Sequence, residues 1–294
     1  MINAKILKDP VKEKWNAVIE AKLKEGQSLE DLVHEYDGSI RMEPNITHQE
    51  VAHIKHDLGT LKPWKSYAFI QSKDKNKLAL EALNQGAEGI AFVWQKENSV
   101  DTVFDSIFTE MIETRIYTTE LSKDEIQQLT SDIQKHNLQN ITLVGSDQMI
   151  EIGEKDRVAS IQNALSKART VSHPKFEVQL SKNLLFEIAS LRAIRVLCLQ
   201  NGIHPDIFAK YEIEGLKDLG DHDLIEKTYK IMSGVLGCAD GILNEYDGSE
   251  TARLTLNVHH ILDLESKFKW VEDPVNGAFY IEKLTEEIIK QVEQ

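Results

Sequence analysis

Between residues 66 and 145, short apolar runs rich in β-branched and aromatic residues alternate with helical patterns at a nearly constant interval. Residues 66–71, 89–94, 115–119 and 140–145 read as strands. The helical faces between them are 78–83 ahead of Gly86, then Val103, Phe104, Ile107, Phe108 and Met111, then Ile126, Leu129 and Ile133. The last of these opens with a capping-box pattern, Ser122 with Glu125 three residues on. Continuous apolar strands separated by helices predict a parallel sheet covered on both faces, hence an α/β fold with right-handed crossovers.

The rhythm changes on either side. Residues 10–36 read as helix, with Trp15, Val18, Ile19 and Leu23 on one face, a stop at Gly26 and a restart at Ser28 with Asp31 three residues on. This predicts an N-terminal helical arm over 1–60 ahead of a domain over 61–294, its apolar stripe covering either a neighbour or its own domain. After Gly145, residues 146–156 are polar, a helix follows near 158–168, and no strand is evident between. Residues 176–180 read as a strand, 183–200 as a strong helix stopped at Gly202, 208–213 as a strand, and 221–236 and 249–268 as helices. Pro274 and Gly277 make 273–277 one defined turn, and Leu284, Ile288, Ile289 and Val292 then recur at helical spacing. The stretch between Gly145 and Phe176 is short for the strand–helix units of a closed barrel, so an incomplete barrel stays open as an outcome.

Charge narrows the function classes. The 294 residues carry a net charge of -14, which argues against nucleic acid and anionic membrane surfaces, both of which require clustered Lys and Arg. The two cysteines, Cys198 and Cys238, fit a reducing compartment better than a disulfide framework, and no stretch has the length of a signal core or membrane span. A cytoplasmic protein is expected. His53 and His56 read as a solvated helical pair lacking a third metal ligand, and Asp273 beside its proline as an acceptor of backbone hydrogen bonds.

Three stretches then share wording with one family. Val271-Glu-Asp-Pro-Val-Asn-Gly-Ala-Phe-Tyr-Ile-Glu-Lys-Leu-Thr285 resembles the D-P-x-x-G-S-Y-Y-x-E-x-L-T signature of the methylmalonyl-CoA mutase barrel, matching at Asp273, Pro274, Gly277 and Tyr280. Asn183-Leu-Leu-Phe-Glu-Ile-Ala-Ser-Leu-Arg-Ala-Ile-Arg-Val-Leu197 resembles its N-F-F-x-E-I-A-K-L-R-A-A-R helix, matching at Glu187, Arg192 and Arg195. The segment from Tyr36 to Pro44 is similar to the opening of the family's smaller subunits. The resemblance implies a (β/α) barrel threaded by a CoA thioester, with adenosylcobalamin supplying the radical.

It also implies residues that this chain lacks. The family's P-W-T-I-R-Q-Y-A-G strand corresponds to Pro63-Trp-Lys-Ser-Tyr-Ala-Phe-Ile-Gln71, so Tyr67 stands for the arginine, Phe69 for the tyrosine and Gln71 for the glycine. A phenyl ring donates no hydrogen bond, and nothing there replaces a guanidinium clamp. Only His204 is available to stand in for the family's lost histidine, the T-Q-S-L-H segment becomes Ala239-Asp-Gly-Ile-Leu243, and no D-x-H-x-x-G cobalamin motif precedes Gln294. The resemblance therefore implies a non-catalytic small subunit without its own cofactor, with Tyr67, Phe69 and Gln71 as vestigial substrate positions and adenosylcobalamin in a large partner subunit. Rival readings are a free-standing CoA-ester isomerase or lyase on the same scaffold, and a homodimeric scaffold.

Overall fold

A computed structural model describes residues 12–37, 40–211 and 221–294. Eight parallel strands form one sheet: β3 (Lys65–Ile70), β4 (Gly89–Val93), β5 (Glu113–Tyr117), β6 (Ile141–Val144), β7 (Met149–Ile152), β8 (Lys175–Gln179), β9 (Asp206–Lys210) and β10 (Gly241–Glu245). Their order, β6-β5-β4-β3-β10-β9-β8-β7, curls the sheet into a nearly closed barrel of the (β/α) type. The seam has a covalent cause. Pairing β6 with β7 in parallel would need a crossover of about a dozen residues. Only four residues join them, in a turn where the Gln148 and Met149 N–H groups both donate to the Gly145 carbonyl at 3.1 Å. The helix that belongs between these strands is missing, and the barrel stays open there.

Outside the barrel pack α3 (Lys75–Asn84), α4 (Val100–Val103), α5 (Lys123–Lys135), α6 (Arg157–Ala168), α7 (Leu184–Gln200), α8 (Asp221–Leu236), α9 (Glu250–His260) and α10 (Phe279–Glu293). Helix α5 carries the expected capping box: the Ser122 N–H donates to Glu125 Oε2 at 2.7 Å, and the Glu125 N–H to Ser122 Oγ at 3.4 Å. Helix α7 is apolar nearly all round and buried from Phe186 to Cys198, as a helix enclosed by other elements must be.

Several expectations fail, each for a local reason. The helix expected over 10–36 stops as α1 (Lys12–Glu20), and Gly26 lies at φ +85°. After a single turn at Leu29–Leu32, His34–Tyr36 (β1) pairs antiparallel with Ile40–Met42 (β2). Tyr36, Ile40 and Met42 are buried in one cluster with α6, α7 and α10, so packing overrides the helical pattern. Further on lies α2 (His48–Val51). The face running to Met111 is broken at Ser106 (φ 59°), leaving Phe108 and Met111 67% and 79% exposed. Strand β7 escapes detection because only Ile150 and Ile152 of its four residues are buried. Strand β10 escapes because Gly241 and Asn244 leave only Ile242 and Leu243 as an apolar run, although it sits mid-sheet between β3 and β9. The helix expected over 249–268 ends at His260 and continues as a π-turn, Ile261–Glu265, and a 3-10 turn, Phe268–Trp270. Residues 212 and 213 of the expected 208–213 strand lie outside the described residues.

Gly277 closes the carboxy-terminal turn at φ +77°. Gly277→Val is expected to destabilise the fold by about 1–3 kcal/mol, because a β-branched residue in the left-handed region is strained. An unchanged urea midpoint would refute this.

Candidate functional site

The barrel interior is built by every second residue of the strands. One inner cluster joins Tyr67 of β3, Ala91 of β4, Tyr117 of β5, Val144 of β6, Phe208 of β9 and Leu243 of β10, with Phe69, Val93 and Met149 against it. Tyr67 meets Phe208 edge to face at 5.1 Å, and Phe69 meets Tyr117 the same way at 5.5 Å. Two glycines make room for these rings: a Cβ on Gly241 would stand 2.4 Å from the Phe208 ring, and one on Gly89 2.6 Å from the Tyr67 ring. The space along the barrel axis is thus filled by aromatic side chains.

An ionic layer is woven through them. Arg115, 3% exposed, lies 3.6 Å over the Phe208 ring and donates from Nη1 to Asp206 at 3.1 Å. Lys175 reaches the same carboxylate at 2.8 Å, the Tyr67 hydroxyl donates to Glu113 at 2.5 Å, and Lys210 bridges Glu151 at 2.9 Å and Glu177 at 3.4 Å. Burial, with Glu113 beside it, pushes the Tyr67 hydroxyl well above the ordinary tyrosine value. Tyr117 is raised by burial and by Glu177. Neither ionises near neutrality, so neither is poised as a general base.

Asp206 is lowered. Burial alone would raise its carboxyl, but Arg115 and Lys175 outweigh it. With its folded pKa below the unfolded value of about 3.9, Asp206 stabilises the fold fully above that value, and the contribution is lost as pH falls through the folded pKa. Asp206→Asn should therefore flatten the fall in stability below about pH 4. Urea titrations across that range check this, and an unchanged acid slope would contradict it.

The positions matching the family's substrate strand are thus placed. Tyr67 and Phe69 belong to the filled interior, while Gln71, just past β3, is exposed and donates to Glu245 at 3.3 Å. His204 stands ahead of β9, at the amino-terminal ends of the strands, opposite the face where barrel enzymes do their chemistry. Sequence reading missed Arg115, Lys175, Glu177, Asp206 and Lys210. A signal was available, since charged residues at alternate positions inside otherwise apolar strands, as in Lys175-Phe-Glu-Val-Gln179 and Asp206-Ile-Phe-Ala-Lys210, mark the interior of a barrel.

The signature residues meet elsewhere, between α7, the turn and α10. Arg192, 1% exposed, donates to Asp273 at 2.7 Å and to Glu282 at 3.1 Å. Glu282 also accepts the Gly277 N–H at 3.0 Å and contacts His56 at 2.8 Å. Asp273 accepts the Val275 N–H at 3.2 Å, with Pro274 between them in the turn. Arg195 binds Asp240 at 2.9 Å and the Cys238 carbonyl at 2.7 Å, tying α7 to the start of β10. Glu187 takes both oxygens to Arg157 of α6 at 2.7 Å, and the Tyr280 hydroxyl meets that of Tyr36 at 3.1 Å. Glu187, Arg192, Arg195, Asp273 and Tyr280 each join two elements.

The histidine expectation is corrected here. Helix α2 ends at Val51, and the His56 side chain is only 5% exposed, clasped by Glu282 and by Glu286 at 3.3 Å. No group of three or more His, Cys, Asp or Glu among the described residues is placed to hold a metal. His259 is held neutral, its pKa lowered to about 3 by burial and by Lys269. The Trp64 N–H donates to its Nδ1 at 3.3 Å, so its Nε2–H donates to Asn244 at 2.9 Å. Both cysteines are free and buried, burial pushing Cys198 up to about 12 and Cys238 to about 11.

No curated protein matches the chain. Among solved structures, the dihydropteroate synthase of Thermus thermophilus in complex with 4-aminobenzoate is similar at 11% identity, over 71% of this chain and 96% of that one, with a TM-score of 0.39. A mutant tryptophan synthase α-subunit from Pyrococcus furiosus is similar at 10% identity, over 78% and 99%, with a TM-score of 0.29. At the carboxy-terminal end, where α8, β10, α9, the turn and α10 lie, residues 222–294 match the family model described as methylmalonyl-CoA mutase.

Proposed function

We propose that this chain is the non-catalytic small subunit of a methylmalonyl-CoA mutase-type isomerase, interconverting methylmalonyl-CoA and succinyl-CoA, and that it supports a cobalamin-dependent large subunit. The observation that carries the reading is the occupied barrel axis. Where the family's substrate is expected to thread, Tyr67, Tyr117, Phe208 and Arg115 interlock. The strand positions that would grip an acyl group carry Tyr67 in place of a guanidinium and Phe69 in place of a tyrosine hydroxyl. The matched carboxy-terminal segment contributes to a scaffold in which its Asp273 and Glu282 hold Arg192.

Three histidines packed against the fold are held by protein groups. His56 is engaged by carboxylates, His259 by Trp64 and Asn244, and His260 by the Gly86 carbonyl at 3.2 Å. We therefore assign the cofactor to the partner subunit. A cobalamin absorption spectrum retained by the purified chain through gel filtration would overturn that assignment.

The amino-terminal arm is our candidate contact with the large subunit. Val18 of α1 is 55% exposed, while Trp15 covers a small cavity of about 150 Å³ with Leu29, Val33 and Pro44. Of the stripe, Trp15, Ile19 and Leu23 are thus half-buried and Val18 alone faces outward. Deleting residues 1–30 is expected to abolish co-elution with the large subunit while preserving the melting temperature. Retained co-elution would remove the arm from the interface, and unfolding would place it in the chain's own core. We place the complex in the cytoplasm on the evidence of two unpaired thiols, and no described helix is long and apolar enough to cross a membrane.

A further inference from the structure

Four large apolar side chains stay exposed between residues 261 and 271: Ile261 at 55%, Leu264 at 62%, Trp270 at 76% and Val271 at 55%. They lie on the π-turn and the 3-10 turn that lead out of α9. Exposed apolar side chains are ordinary when scattered singly, whereas a run of them marks a docking surface. A cavity of about 300 Å³ opens beside Trp270, with Leu61 and Trp64 ahead of β3, Val235 of α8 and Ala239 ahead of β10 in its apolar wall. That volume is at the lower end of those that hold small ligands and is sufficient for an indole ring.

Trp270 does not fill this cavity itself. Phe268, Lys269 and Val271 line it, while the ring between them stands out in solvent with Lys267 Nζ 4.8 Å over its face. The turn Phe268–Trp270 follows Lys267 at φ 60°, which sets the direction of the indole. A knob and a hole thus sit side by side on one surface. When both belong to the same patch, two copies can satisfy each other about a two-fold axis and the contact closes. A knob far from its hole would build an open chain instead.

Charge favours a second copy as the occupant. At a net charge of -14 the chain repels its own kind, so self-association needs a place where the signs balance. Here the exposed Lys62 and Lys267 and the exposed Glu265 and Glu272 form no ion pair among the described residues, two of each sign. A two-fold axis that seats Trp270 carries Lys267, stacked on its ring, to the rim of the other copy's cavity, where Glu272 stands.

We propose that the surface around Trp270 joins two copies of this chain, the indole of each seated in the cavity of the other. The inference stands whether or not the chain serves a mutase, because it depends only on this surface. A contact built on one ring and its rim is smaller than the roughly 800 Å² per partner of a standard interface, so the pair is weak and reversible.

The test is sedimentation velocity of the purified full chain from about 1 to 200 μM, with a monomer–dimer equilibrium expected at tens of micromolar. Trp270→Ser should weaken dimerisation by at least about tenfold, and it should leave the melting temperature unchanged because it alters an exposed side chain. Tryptophan emission should shift to the blue as the wild-type concentration rises, and that shift should vanish in Trp270→Ser. The proposal is overturned if the chain stays monomeric throughout, if Trp270→Ser dimerises as the wild type does, or if association continues into an open series of larger species. A chain that is monomeric alone but loses co-elution with the large subunit on Trp270→Ser would assign the surface to that subunit and overturn it as well. Should Trp270→Ser fail to fold, Val271→Asp, at an exposed position on the cavity rim, decides in its place.

Discussion

Glu187→Ala is expected to destabilise the protein by about 3–5 kcal/mol, the largest effect among the substitutions considered, because it leaves a buried guanidinium without its counter-charge. Arg157 and Glu187 are both 0% exposed, and the single Arg157 Nη2 lies 2.7 Å from each carboxylate oxygen. The same nitrogen donates to the Gln179 carbonyl at 2.7 Å, and Glu187 accepts the Ser181 N–H at 3.2 Å, so the pair clamps α6 and α7 to the end of β8. Because an ion pair out of water gains little over apolar packing, the double substitution Arg157→Met with Glu187→Leu should recover most of the loss. Urea denaturation of the two variants checks both statements. A double variant no more stable than Glu187→Ala would show that the pair is worth more than its geometry suggests.

Gly241→Ala should cost about 1–3 kcal/mol through overpacking. The added Cβ would fall 2.4 Å from Cε1 and 2.8 Å from Cζ of Phe208. The ring has little freedom to retreat, since Arg115 covers it at 3.6 Å and Tyr67 stands against it at 5.1 Å. Adding Phe208→Ala removes the clash but opens the barrel axis. The pair should therefore be non-additive, with the double variant more stable than the sum of the two single losses predicts. Simple additivity would mean that Gly241 and Phe208 do not share the space the structure gives them.

Much of the architecture is legible in the pattern of residues. The strands β3 to β6 follow from runs such as Gly89-Ile-Ala-Phe-Val93, whose side chains are buried on both faces and so read as apolar without alternation. Helix α5 is legible from Ser122 and Glu125, and α10 from Leu284, Ile288, Ile289 and Val292, all buried. These signals are local: a cap, a period or a continuous apolar run is complete within a few residues. Arg192, Asp273 and Tyr280 could be singled out from wording alone, but their work could not. Arg192 and Asp273 are 81 residues apart in the chain and Tyr280 is 244 from Tyr36, so only folding brings each pair together.

By itself the residue pattern determined an α/β chain with a net charge of -14, because those properties depend on composition and on periodicities of two and 3.6 residues, whereas the barrel was implied only by the resemblance to the mutase family. Only the tertiary structure decided that the barrel stays open between β6 and β7, where four residues cannot make a parallel crossover. It alone placed β7, β10 and the hairpin at Tyr36, whose short segments owe their form to neighbouring strands and helices. It alone put Tyr67, Arg115 and Phe208 into one interlocked layer, since the curvature of a sheet, and not the order of residues along any strand, sets which side chains share its interior.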